Sequence, residues 1–112
     1  MANTFKLKTK AGVTSQATVY TVPTTNTPTT IILGLVLGNT TASGITATVT
    51  LTTDTSDTET NGEVELVTNA PIPVGSSLEI LSGSKVVMQT TDILKVSASG
   101  ACDVALSILE MT

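Results

Sequence analysis

The 112-residue chain has no histidine, no tryptophan and no arginine, and its only basic residues are five lysines. It carries one cysteine, one phenylalanine and one tyrosine. Each scarcity removes a class of chemistry. Without histidine, Ser–His and Cys–His nucleophilic pairs cannot form, and the side chain best suited to moving protons near neutral pH is missing. There is no CxxC pair either, so the usual zinc sites are excluded. Ser–Lys chemistry would need a lysine in a dry pocket, but Lys85 and Lys95 fall at ordinary outward strand positions. Two carboxylates could in principle cleave a glycoside. Sugar rings usually stack on aromatics, however, and Phe5 and Tyr20 are the only two. The sequence therefore predicts a protein that is not an enzyme and uses no cofactor and no metal.

Cys102 stands alone, so no disulfide can form within the chain. Its flanks, Ala101, Asp103 and Val104, predict an inert thiol buried on a strand. Nucleic-acid binding normally leaves a basic patch with arginine and stacking aromatics; here the net charge is −4. The longest apolar run, residues 31–37, is too short to span a bilayer. The N-terminus lacks the apolar stretch of a signal peptide. A soluble protein made in a cytoplasm, with neither nucleic acid nor membrane as partner, is the expectation.

What is abundant is threonine, at about one position in five. Its β-branch favours the pleated surface of a strand over a helix. Hydrophobic residues make up 40% and are nearly all aliphatic, which suits two facing sheets. Charged residues are only 12%, about half the usual share, so the surface is mostly hydroxyl and amide. Such a surface fits faces that meet other protein subunits.

Alternation with period two runs along the whole chain. In residues 4–10, Phe5 and Leu7 share one face and Lys6, Lys8 and Lys10 the other, until Ala11-Gly12 breaks the pattern. Residues 13–22 form a second candidate strand, ended by Pro23 and a turn-forming loop to Pro28. Residues 29–37 are apolar on both faces, with Ile31, Leu33, Leu35 and Leu37 on one side and Ile32 and Val36 on the other. This reads as a central strand, or one whose outer face meets a partner. The cleanest alternation is in residues 44–53: Ile45, Ala47, Val49 and Leu51 face in, and Thr46, Thr48, Thr50 and Thr52 face out. Further strands are expected at 63–69, 77–81, 85–89, 92–98 and 102–110, with Pro71–Gly75 a rigid turn. About eight short strands without a helical period predict an all-β, single-domain antiparallel β-sandwich, jelly-roll or immunoglobulin-like. The domain spans residues 1–112, with 1–11 a basic N-terminal arm or edge strand.

Several features invite sharper readings. Asp54, Asp57, Glu59, Glu63 and Glu65 could supply oxygens to calcium, but the spacing lacks the EF-hand pattern, and a solvated loop is preferred. Gly34-Leu35-Val36-Leu37-Gly38 lacks the lysine of a phosphate loop and is read as close backbone packing. The Thr46–Thr52 ladder has no repeat to extend it into an ice-binding array. The three lysines near the start suit either a guarded edge strand or an arm docking on an acidic neighbour. Lys6, Lys8, Lys10, Ile32 and Val36 are the candidate interaction residues.

One ordered set of segments resembles a known group. Thr18-Val19-Tyr20-Thr21-Val22-Pro23 is followed by Ile31-Ile32-Leu33-Gly34-Leu35-Val36-Leu37-Gly38-Asn39-Thr40. Later come Asn69-Ala70-Pro71-Ile72-Pro73-Val74-Gly75-Ser76-Ser77-Leu78-Glu79 and Gln89-Thr90-Thr91-Asp92-Ile93-Leu94-Lys95-Val96. This order resembles small β-sandwich virion structural proteins of tailed bacteriophages, except that Thr91 stands where those chains usually carry glycine. The resemblance implies a protein assembled on the virion in the host cytoplasm, with no catalytic residues to transfer. Its partners would be the major capsid protein or neck and tail proteins, and copies of itself as a dimer or trimer. A capsid decoration or cement protein is the leading expectation. A ring-forming neck or tail component is the alternative, and a receptor- or carbohydrate-binding module a more distant one.

Overall fold

The computed structural model describes residues 3–53, 62–80 and 85–112. Its strands are β1 (Asn3–Val13), β2 (Ala17–Thr21), β3 (Thr29–Asn39), β4 (Ile45–Thr53), β5 (Gly62–Ile72), β6 (Ser77–Ile80), β7 (Val86–Met88), β8 (Ile93–Ala98) and β9 (Cys102–Met111). All pair antiparallel. The pairing is nested: β4 with β5, β3 with β6, β2 with β8, β1 with β9. That is one long antiparallel ribbon, rolled so that successive pairs fall alternately into two sheets. The first sheet has the order β1-β9-β3-β6, with β7 also on β3; the second has the order β2-β8-β4-β5. Of the two topologies compatible with the sequence, this is the jelly roll.

Between the sheets, strict alternation delivers one aliphatic layer from each strand. Ile32, Leu35 and Leu37 of β3, Val49 of β4, Leu94 and Val96 of β8, and Leu106 and Ile108 of β9 are fully buried. Each such side chain contributes about 1.5–3 kcal/mol by leaving water. Cys102 lies in the same layer, fully buried, and burial pushes its thiol pKa up. In β4 Ile45, Ala47 and Val49 are buried and Leu51 packs against the core, while Thr46, Thr48, Thr50 and Thr52 take the alternate, outward positions as the alternation predicts, although Thr50 is itself buried by its neighbours.

The differences from the expected strands have local causes. Residues 13–22 do not form one strand. Val13 closes β1 after a register shift beyond Lys10, where Gly12 takes φ 65°, and β2 begins only at Ala17. Pro71 and Ile72 belong to β5 rather than to a turn, because β5 is an edge strand, where a missing N–H is tolerated. The turn itself is Pro73–Ser76, closed by the Ser76 N–H donating to the Pro73 carbonyl at 3.2 Å, with Gly75 at φ 71°. Buried Asn39 fastens this corner. Its amide donates to the carbonyls of Ser43 (2.8 Å) and Ile72 (3.0 Å), and its Oδ1 accepts from the Thr41 N–H at 2.8 Å. In the adjoining turn between β8 and β9 Gly100 is required, since a Cβ there would meet Ile45 Cγ2 at 2.8 Å and Thr41 Cγ2 at 3.3 Å.

A bulge in β3 matters most for the surface. The register against β9 slips between Ile32 and Gly34, so Leu33 is an extra residue. Ile32 therefore shares the inward face with Leu35 and Leu37, and Ile31 shares the outward face with Val36. Ile32 is core, which corrects its reading as an interaction residue. A straight strand would have put it beside Val36.

Candidate interaction surface

The register of the first sheet fixes which side of each strand meets the core. Lys6, Lys8 and Lys10 lie opposite Ile108, Leu106 and Val104, all buried inward residues. The lysines thus occupy the inward side of β1, and Phe5 and Leu7 point away from the core. Phe5 is 73% exposed and Leu7 64%. Inward charges on an edge strand hinder further strand pairing, while long stems let the amino groups reach water around the rim.

Each lysine has a different situation. Lys6 Nζ sits 2.8 Å from Glu110 Oε1. Lys8 Nζ lies 6.0 Å from the centre of the Tyr20 ring, at the limit of a cation–π contact. Lys10 is exposed and forms no salt bridge among the described residues. Of the two readings of this segment, Asn3–Lys10 form the edge strand, pairing residue by residue with β9.

Beneath Lys6 is a polar cluster that sequence reasoning missed. The Tyr20 hydroxyl donates to Glu110 Oε2 at 2.5 Å and lies 2.9 Å from Thr30 Oγ1, all three residues being buried. Burial would raise the Glu110 pKa, but hydrogen bonds from Lys6 and Tyr20 and the charges of Lys6 and Lys8 outweigh it and hold the carboxyl below its ordinary value. Burial, reinforced by the Glu110 hydrogen bond, pushes the Tyr20 hydroxyl well above the usual phenol range. The alternation Cys102, Val104, Leu106, Ile108, Glu110 carried the signal, since it places Glu110 inward. The cluster joins β1, β2, β3 and β9, and all of its groups serve one another, so it is a fastening between sheets.

The outward side of the first sheet reads best in rows across the strands. Phe5, Leu109, Ile31 and Val87 form one continuous apolar row over β1, β9, β3 and β7. The next row is Leu7, Ser107 and Gly34. A third is Thr9, Ala105, Val36 and Glu79. Val87 is 55% exposed and Val36 37%. The middle row is low at its Gly34 end, where a Cβ would have nothing within 4 Å, while exposed Leu7 stands at its other end. Gly34 was expected to mark close backbone packing; it marks a gap instead. A shallow groove runs there, lined by Phe5, Leu7, Leu33 and Ser107.

The outward side of the second sheet is mostly polar. It carries Thr46, Thr48, Thr50 and Thr52 of β4, Lys95 and Ser97 of β8, and Glu63 and Glu65 of β5, with Ile93 and Pro71 as apolar exceptions. Glu63 pairs with Lys95 at 3.6 Å, and Glu65 accepts from the Thr68 hydroxyl, so these two carboxylates are engaged within the sheet. Asp54, Asp57 and Glu59 lie outside the described residues. Among the described residues no three His, Cys, Asp or Glu side chains come together as a metal site, and no helix is long and apolar enough to cross a membrane.

No protein-family model matches the chain, and no curated protein sequence is significantly similar to it. Among solved structures, a chain from Bacillus endospore appendages, a family of disulfide-linked pili, aligns with 96% of this chain and 85% of its own length. The identity is 12% and the TM-score 0.47, a likeness too distant to carry an argument.

Proposed function

We propose that this chain is a non-enzymatic structural protein of a tailed-phage virion, a decoration protein that stabilises the capsid shell through protein–protein contacts. The observation that carries the reading is the outer face of the first sheet, where Phe5, Leu7, Val36 and Val87 stand in water together. A contiguous apolar face of this size on a soluble domain marks a surface meant to be covered. The ordered segments from residue 18 to 96 that resemble small phage virion proteins supply the kind of assembly. In this reading the partners are the major capsid protein and other copies of the chain, held by apolar burial with little help from charge.

The test is the copy number of this chain in purified particles, by quantitative mass spectrometry against the major capsid protein. A number comparable to the capsid protein is expected. A number matching a single ring would move the chain to the neck or tail, and absence from the particle would overturn the reading.

A further inference from the structure

We propose that the occupant of the first sheet's outer face is a second copy of the same chain, packed face to face about a two-fold axis. This rests on the reading of that face as an interface and names what covers it.

Three observations favour self-packing. The ridge Phe5–Leu109–Ile31–Val87 and the groove lined by Leu7, Leu33 and Ser107, with Gly34 in the same row as Leu7 and Ser107, lie side by side on one surface, two residues apart along the strands. Two residues are about 7 Å of strand. A two-fold axis running along the rows, midway between ridge and groove, sets the ridge of each copy into the groove of the other. A two-fold interface requires this kind of self-complementarity. The face also carries little charge to repel its own copy: Glu79 and Asp103 sit in the rows beyond the groove, at the margin. Finally, the face is four strands wide, with β6 and β7 end to end along β3, and over the eight paired residues of β1 it presents roughly 520 Å² before corrugation, so two copies together bury about the 1,000 Å² that a specific interface needs.

Gly34 is central to this packing. It leaves no cavity inside its own molecule, and its backbone is not in the left-handed region. The fold therefore gains nothing from glycine here, and a central-strand glycine is normally unfavourable. Its absent side chain clears the floor that the partner's Phe5 row would occupy.

The experiment is sedimentation equilibrium of the purified full chain, beside Gly34→Leu, Phe5→Ser and a control, Thr48→Ser, on the opposite sheet. Circular dichroism and cooperative thermal unfolding establish that each variant is folded. The wild type and Thr48→Ser are expected as dimers. Gly34→Leu, which fills the groove, and Phe5→Ser, which lowers the ridge, should weaken the dimer at least tenfold while remaining folded. A wild type that stays monomeric to roughly 100 µM, weaker than any stable interface, overturns the inference. So does a trimer or larger ring, or a dimer that both variants leave intact. A monomeric chain still found in high copy on particles would refute this inference alone. A dimer absent from particles would refute the virion reading and leave this inference standing.

Discussion

On the second sheet, the side chains turned away from the core are mostly polar: threonines, Ser97, Glu65 and a Lys95–Glu63 pair, with Ile93 and Pro71 the apolar exceptions. On the first, Phe5, Leu7, Ile31, Val36, Val87 and Leu109 predominate, beside Thr9, Ser107, Glu79 and Asp103. The two sheets share one core, and their strands are built on the same alternation. They differ in what their far side is prepared to meet. Hydroxyls on a pleated sheet satisfy water directly. An aliphatic row with a phenylalanine at its end does so only at a cost, and solubility alone would favour more threonine. The lesson is clearest in β1, where the usual rule is reversed: the charged alternates face in and the apolar ones face out. The inward lysines are tolerable because β1 is the edge of its sheet, where amino groups reach past the rim, and because Lys6 finds Glu110.

The sharpest way to separate core from interface is within β3. Ile32→Ala should cost about 2–5 kcal/mol, as expected for a fully buried aliphatic side chain. Val36→Ala, four residues on but outward, should change the stability of the isolated chain by no more than about 0.5 kcal/mol and weaken self-association instead. Urea unfolding checks the first and sedimentation the second. Equal costs would mean that the Leu33 bulge does not divide the strand in this way.

Next in size is the fastening between the sheets. Tyr20→Phe keeps the ring and removes the hydroxyl, leaving a buried Glu110 oxygen without its donor, which should cost about 1–3 kcal/mol in denaturant titration. The same cluster predicts a response to acid. Glu110 has a lower pKa folded than unfolded, so the unfolded chain binds the proton more readily. Its contribution is complete above the ordinary glutamate pKa of about 4.3 and is lost as pH falls through the depressed folded value. Thermal melts of the wild type should therefore drop over that acid range, and Glu110→Gln should flatten this part of the profile.

The smallest effect belongs to the polar face. Thr48→Ser removes one methyl from an outward position and should leave stability within about 0.5 kcal/mol and association unchanged. A large loss of association there would erase the distinction between the faces.

Much of this architecture was legible from period-two alternation. The inward set of β4, the burial of Cys102 and the extents of β8 and β9 follow from it to within a residue or two. The outward side of the first sheet was harder to read. Phe5 and Leu7 alternate with lysines, and a local pattern shows that two faces differ without showing which one meets the core. That depends on pairing with β9, about a hundred residues away. Ile32 was misplaced because a bulge resets parity, and Leu33 looks like any other aliphatic residue in its run. Val36, beyond the bulge, was read correctly as outward. The Glu110 cluster was visible only as a carboxylate at the end of an inward series, and its partners come from three other strands.

The central claim is that the outer face of the first sheet, and not that of the second, is covered when the protein is assembled. Thiol labelling of assembled material tests it most directly. Leu7→Cys and Thr48→Cys would be made separately in a Cys102→Ala background and reacted with a maleimide. The account predicts slow labelling at position 7, rising when the assembly is diluted apart, and fast labelling at position 48 throughout. Equally fast labelling at both positions in the assembled state would contradict it.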